Sequence, residues 1–225
     1  PKHGLTFPDR FIPLSEEVGL IHLIGHWVLE QACLQIKTWK SFTLAQKHSI
    51  EREGAVVPVS VSPDFHINVN ISAKQLASPD FLTILDQLVQ KYDLDCRHLK
   101  FEITESALIQ NEEITLYLLE EFKKRRIKLV IDDFGTGYSS LSYLHHFPLD
   151  TLKIDRSFIQ GMHQSSKRLG IVECTINMAH MLGMNVVAEG IETEAQSLTL
   201  KQLGCELGQG YLFSRPLFSE QISFF

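Results

Sequence analysis

The chain has 225 residues, of which 44% are hydrophobic and 21% are charged, and its formal net charge at pH 7 is −6. This composition predicts one folded domain, and the negative charge argues against a protein that holds duplex nucleic acid through a basic surface. No apolar run approaches the roughly 18 residues that a membrane span needs, and the amino terminus lacks the apolar core of a signal peptide.

The expected location is the cytoplasm. The four cysteines are far apart and show no metal-ligand spacing, which favours reduced thiols in a soluble protein. A longer parent protein could still be anchored in a membrane by segments outside this chain.

Strand-like apolar runs alternate with helix-like runs, a pattern that predicts repeated βα units around a parallel sheet. A helix comes first, with apolar residues between Ile21 and Trp39 on one face. A long polar connector, 41–64, follows, and it is either a flexible insertion or a segment with structure of its own.

Six strands are predicted after the connector. They are Phe65 to Ile71, a strand ending with Phe101 to Glu105, Lys128 to Asp132, Thr151 to Asp155, Asn185 to Ala188, and a short run before Gly208. Four helices are predicted between these strands. The first begins at a Ser78 cap with Pro79 in its first turn, the second spans Glu112 to Arg125, the third spans Lys167 to Leu182, and the fourth ends before Gly204.

Polar residues gather at the carboxyl ends of these strands. In a βα barrel such ends meet at one mouth, so the residues predict a single site. The set comprises Asn70, Glu102, Asp132, Asp133, Lys153, Asp155, Glu189 and Gln209.

The pair Asp132 and Asp133 is the strongest indication of a metal site. Adjacent carboxylates repel each other and are costly to bury, so a cation that neutralises them is a reasonable expectation. Each residue alone also has an ordinary explanation, as a turn, a helix cap or an ion pair of Lys153 with Asp155. Several strands that end in oxygen ligands together favour two hard cations that activate water against a phosphodiester.

Six segments in chain order carry a further signal, namely 70–76, 102–105, 132–141, 152–155, 188–192 and 208–211. They resemble the ordered motifs of EAL domains, bacterial phosphodiesterases that open the second messenger cyclic di-GMP to linear pGpG. The resemblance runs from about Phe7 to Phe218, except for the connector, and implies one EAL-like domain over 1–225 with the TIM-like (β/α) barrel fold of α/β proteins.

This resemblance implies a role for each site residue. Asn70, Glu102, Asp132 and Asp133 would bind two divalent cations, Mg²⁺ or Mn²⁺, with Asp132 between them. Lys153 would contact or help deprotonate the attacking water, and Asp155 and Glu189 would complete the metal and water shell. The substrate-side and loop residues would be Glu105, Phe134, Gly135, Thr136, Gly137, Gln209 and Pro216.

One departure from the family concerns the Glu-Ala-Leu motif, whose glutamate binds metal and is usually followed by a phosphate-binding arginine. Neither is found in this sequence. We therefore expect an incomplete barrel that lacks its first two strands, belonging to a signalling protein with sensor or GGDEF domains. The resemblance also implies a homodimer.

Two functional hypotheses from different classes remain. The first is a metal-dependent cyclic di-GMP phosphodiesterase, with activity impaired in a truncated form. The second is a cyclic di-GMP receptor or regulatory domain that binds without hydrolysis. A partner-binding surface without any nucleotide role is a weaker third possibility, because it explains none of the placed carboxylates.

Overall fold

Six parallel strands pair side by side in chain order and curl into half of a βα barrel, which confirms the predicted fold class. The computed structural model describes residues 6–49, 65–136 and 144–222. The strands are β1 Ile67–Asn70, β2 Leu99–Thr104, β3 Lys128–Phe134, β4 Thr151–Ile154, β5 Asn185–Ala188 and β6 Leu207–Gly208.

Helices precede the sheet and connect its strands. They are α1 Pro8–Glu17, α2 Ile21–Ser49, α3 Ala73–Leu76, α4 Phe81–Tyr92, α5 Glu105–Ile109, α6 Glu112–Lys124, α7 Arg156–Gly161, α8 Ser166–Met181 and α9 Glu194–Gln202. None of the helices in this part of the chain combines the length and the apolarity that a bilayer crossing needs.

Several strand and helix ends differ from the predicted limits by one or two residues, β1 being shorter at both ends and β3 extending to Phe134, and three further differences concern the connector, a helix cap and a site residue. The helix α2 continues to Ser49 through the first part of the expected connector, because residues 41–49 contain no glycine or proline; residues 50–64 lie outside the described residues. The Ser78 cap is wrong, since Asp80 precedes the first residue of α4 and the Ser78 carbonyl accepts a hydrogen bond from Phe81 N. Glu105 begins α5 instead of ending β2.

The core lies between the outer face of the sheet and the helices. Alternate residues of the central strands point to this face and are fully buried, among them Phe101, Ile103, Leu129 and Ile131. The opposite face, which would be the barrel interior, carries the polar residues that end the strands. Because successive side chains of a strand point to opposite faces, the residues that pack the core lie on one face of the sheet and the polar site residues lie on the other.

Three phenylalanines join β2, α4 and α6 within this core. The ring centroid of Phe122 lies 5.0 Å from that of Phe101 and 5.7 Å from that of Phe81, both in edge-to-face arrangements. At the end of α6, Arg125 donates to both carboxylate oxygens of Asp86 on α4, at 2.7 and 2.8 Å. The helix α6 is thus fixed to its neighbours by apolar packing and by one bidentate ion pair.

We predict that Phe122→Ala lowers the free energy of unfolding by about 3–5 kcal/mol, because it removes a fully buried ring and leaves a cavity. Urea denaturation measures the change. The matched control is Tyr117→Ala on the exposed side of α6, for which we expect little change. Equal effects of the two substitutions would contradict the described packing.

Candidate functional site

Parallel register places the predicted site residues at one edge of the sheet. Asn70 is aligned with Glu102 across β1 and β2, and Thr104 is aligned with Asp132 across β2 and β3. Glu189 directly follows β5, where its backbone N–H donates to the Ile154 carbonyl at the end of β4. The structure therefore brings together side chains that are more than 100 residues apart in sequence.

Lys153 lies at the centre of this site. Its Nζ is 3.0 Å from Oε2 of Glu102, 3.0 Å from Oδ1 of Asp132 and 2.7 Å from Oε1 of Glu189. The Lys153 side chain is only 6% exposed, so these carboxylates are its main means of replacing lost hydration. One ammonium group thus links the ends of β2, β3, β4 and β5.

The site holds more negative than positive charge. Burial alone would lower the pKa of Lys153, but Glu102, Glu189 and Asp132 outweigh it, and the pKa of this lysine is raised. Burial raises the pKa of Glu189, although Lys153 opposes the change. Burial also raises the pKa of Asp133, and repulsion from Asp132 adds to that effect.

Oxygen atoms of Asp132, Asp133 and Glu189 lie within 4.8 Å of one another, close enough to share a cation. Hard cations such as Mg²⁺ and Mn²⁺ prefer carboxylate and carbonyl oxygens, which this site supplies. A bound cation would offset both the burial and the repulsion from Asp132 that raise the pKa of Asp133. The residues present therefore fit a divalent metal.

Glu105 holds the loop that follows β3. Its Oε2 accepts a hydrogen bond from the backbone N–H of Gly135 at 3.2 Å, while its buried Oε1 has no partner within the described ranges. Gly135 has a φ of 92°, a backbone conformation that favours glycine, and a Cβ there would lie 3.0 Å from the Phe158 ring, which would have to shift slightly to make room.

The residues on either side of Gly135 make contacts of their own. Phe134 is buried as the last residue of β3, and the Thr136 hydroxyl donates to the Asp133 carbonyl at 2.8 Å. Asp133 itself has a φ of 53°, an uncommon backbone conformation for aspartate beside a candidate metal site. The predicted site residue Gly137 lies outside the described residues.

Asp155 has a structural function in addition to its predicted catalytic role. Its Oδ1 accepts a hydrogen bond from Ser157 N at 3.0 Å and caps α7. Burial raises the pKa of Asp155, but hydrogen bonds donated by Ser157 and Arg156, together with the charge of Arg156, lower it overall. Asp155 also contributes to the repulsion that raises the pKa of Asp133, so it lies near the other carboxylates of the candidate site.

The side chains of Asn70, Gln209 and Pro216 are exposed. Asn70 lies beside Glu102 in the sheet register. The backbone of Gln209 connects β5 to the turn that follows it, because its N–H donates to Ala188 and its carbonyl accepts from Ile191. The roles assigned to Asn70, Gln209 and Pro216 stay predictions.

One site residue was missed from the sequence. Asn68 donates from Nδ2 to Oε1 of Glu102 at 2.6 Å. The available signal was its position two residues before Asn70, which places both side chains on the same face of β1.

Comparison with known proteins identifies the family. The family model described as "EAL domain" matches residues 1–216. A curated relative, the bifunctional diguanylate cyclase/cyclic di-GMP phosphodiesterase MucR of Pseudomonas aeruginosa, is 39% identical over 222 residues, which cover 99% of this chain and 30% of that protein. The chain thus spans less than a third of this relative.

Solved structures agree with this family. The PaMucR phosphodiesterase in complex with c-di-GMP has a TM-score of 0.86 at 38% identity, covering 98% of this chain and 82% of that one. A manganese and cyclic di-GMP complex of Klebsiella pneumoniae BlrP1 has a TM-score of 0.65 at 29% identity, covering 82% and 44% of the two chains. On the family match, the sequence identity and the shared fold, this chain belongs to the EAL domain family.

Proposed function

We propose that this chain hydrolyses cyclic di-GMP to linear pGpG with the help of two divalent cations, Mg²⁺ or Mn²⁺. The observation that carries the proposal is the convergence of Glu102, Asp132 and Glu189 on Lys153, with Asp133 beside them. The substrate class follows from relatives in the EAL family whose names include cyclic di-GMP phosphodiesterase and from the solved complex with c-di-GMP.

In this proposal Asn70, Glu102, Asp132 and Asp133 hold the cations, and Glu189 and Asp155 complete the metal and water shell. Divalent cations at this site would supply Lewis acidity, which lowers the pKa of an attacking water and neutralises charge on the phosphate. Lys153 donates hydrogen bonds to the attacking water or to a phosphate oxygen. Its ammonium is already held at this edge of the sheet by three carboxylates.

The loop after β3 and the exposed carboxyl end of the sheet would contact the nucleotide. Glu105 fixes the backbone at Gly135, and we assign Phe134, Gly135, Thr136 and Gly137 to positioning this loop. Gln209 and Pro216 are assigned to the nucleotide side of the site, where both side chains are exposed.

We further propose that the domain works as a homodimer within a longer protein that carries sensor or GGDEF domains and resides in the cytoplasm or on a membrane facing it. The support for a longer protein is that the chain covers 30% of its relative MucR, whose name includes a cyclase activity, whereas the dimer follows from the family resemblance alone. Size-exclusion chromatography with light scattering on the complete protein tests the dimer.

The direct test is hydrolysis of cyclic di-GMP with Mg²⁺ or Mn²⁺, with pGpG measured by chromatography. Loss of a residue that only hydrogen-bonds to a metal ligand typically costs roughly 10–100-fold in activity. Asp132→Asn removes a proposed cation ligand itself, so it is expected to lower turnover by more than that. Asp93→Asn, at an exposed helix end with a φ of 51° that asparagine tolerates, is the matched control.

Two results would contradict parts of this proposal, the first the assigned metal centre and the second the hydrolysis itself. Full activity of Asp132→Asn would exclude the assigned metal centre. Binding of cyclic di-GMP by the wild-type protein without any product would favour the receptor hypothesis.

Lys153→Met is predicted to lower turnover more than ligand binding, because the proposed contact is with the reacting water or phosphate. In the cation-free protein it should also lower the free energy of unfolding by about 3–5 kcal/mol, since it leaves buried carboxylates without their partner. Addition of Mn²⁺ should recover much of this stability.

Thermal unfolding with and without Mn²⁺, together with steady-state kinetics, measures these effects. The control is Lys91→Met, which breaks an exposed pair with Glu30 and should change stability little. Equal losses of turnover and binding in Lys153→Met would indicate that this lysine mainly binds ligand or supports the structure.

Glu105→Ala is predicted to free the loop after β3 and to lower turnover by up to about 100-fold through misplaced ligands, with the fold retained. Amide hydrogen exchange at Gly135 should become faster. Glu113→Ala, at an exposed position in the first turn of α6, serves as the control. Unchanged exchange at Gly135 would show that Glu105 does not hold this loop.

A further inference from the structure

The two carboxylate oxygens of Glu102 have different partners. Oε1 accepts a hydrogen bond from Asn68 Nδ2 at 2.6 Å, and Oε2 accepts one from Lys153 Nζ at 3.0 Å. Glu102 is 5% exposed, so water replaces neither partner easily. The carboxylate is therefore held in one orientation from both sides.

Asn68 reaches Glu102 diagonally across the sheet. The aligned partners are Asn68 with Lys100 and Asn70 with Glu102, and side chains two residues apart in a strand share a face. Asn68 thus approaches from the amino-terminal side of Glu102, whereas Asp132 and Lys153 lie on the neighbouring strands β3 and β4. The contact with Asn68 leaves the other oxygen directed towards the metal-binding carboxylates.

The amide must present its NH₂ group at this contact, because an ionised carboxylate only accepts hydrogen bonds. Asn68 is exposed on β1, a terminal strand of the described sheet, and packing does not require an asparagine there. What the Asn68 side chain contributes to the site is the hydrogen bond that it donates to Glu102.

We propose that Asn68 is a positioning residue that selects which oxygen of Glu102 is available to a divalent cation. It holds Oε1, so Oε2, now paired with Lys153, is the oxygen that a cation would take. That the ligand is a divalent cation rests on the function proposed above, whereas the hydrogen bond between Asn68 and Glu102 is independent of that function. Asn70, the residue aligned with Glu102 across β1 and β2, keeps its own proposed role as a ligand.

Loss of this donor would let Glu102 turn and would leave Oε1 without a partner. Hydrogen-bond partners of metal-binding carboxylates typically change metal affinity by about 10–100-fold when they are removed. We expect Asn68→Leu, which keeps the shape and removes the donor, to weaken Mn²⁺ binding by at least about tenfold. Asn68→Gln keeps an NH₂ donor on an exposed side chain and should recover much of the affinity.

The experiment is isothermal titration calorimetry of the metal-free protein with Mn²⁺, without nucleotide, accompanied by thermal unfolding and by the cyclic di-GMP assay. Asn185→Leu is the matched control, since Asn185 shares its strand face with Glu189 but lies at the opposite end of β5. Asn68→Ser, whose hydroxyl is too short to reach Glu102, replaces Asn68→Leu if that variant does not fold.

Weaker Mn²⁺ binding in Asn68→Leu, recovery in Asn68→Gln and no change in Asn185→Leu would support the proposal. Unchanged Mn²⁺ affinity in Asn68→Leu would overturn it, even if the wild-type protein hydrolyses cyclic di-GMP normally. If the wild type binds Mn²⁺ without hydrolysis, an affinity loss in Asn68→Leu still supports the positioning role, while the proposed function fails. A wild type that binds no Mn²⁺ overturns both.

Discussion

The structure of the site depends on the burial of several carboxylates around one lysine. Lys153 contacts Glu102, Asp132 and Glu189 at 2.7–3.0 Å, and these four residues come from four neighbouring parts of the sheet. The single positive charge of Lys153 compensates only part of the negative charge of these three carboxylates. Asp133 adds a fourth carboxylate at the same edge of the sheet. Such an arrangement is costly for folding alone, and it is explained if the same oxygens bind cations during the reaction.

The rest of the fold makes this concentration of charge possible. Fully buried residues on the outer face of the strands, such as Phe101 and Ile131, anchor the sheet beneath the helices. The other face is then free to carry polar groups, and parallel pairing fixes their relative height. Glu102, Asp132 and Asp133 lie within strands and Glu189 directly follows one, so regular structure places these carboxylates, which suits the proposed binding of metal and phosphate.

The sequence predicted the sheet well because period-two alternation and strand-end polar residues are local signals. Asn185 to Ala188 was predicted with the observed limits, and α8 begins and ends within one residue of its prediction. Other features depend on tertiary contacts. Glu105 begins α5 and is buried at that position, and the hydrogen bond of Asn68 depends on the pairing of β1 with β2. Neither the start of α5 nor this hydrogen bond can be inferred from residue spacing within one segment.

The most direct test of the central claim is a manganese anomalous difference map from crystals grown with Mn²⁺ and cyclic di-GMP. We predict two peaks about 3.5–4 Å apart at the carboxyl ends of β2 and β3, next to Glu102, Asp132 and Asp133, with the scissile phosphate beside them. Ordered cyclic di-GMP with no anomalous peak at these carboxylates, and with Lys153 still paired to all three of its partners, would contradict the account.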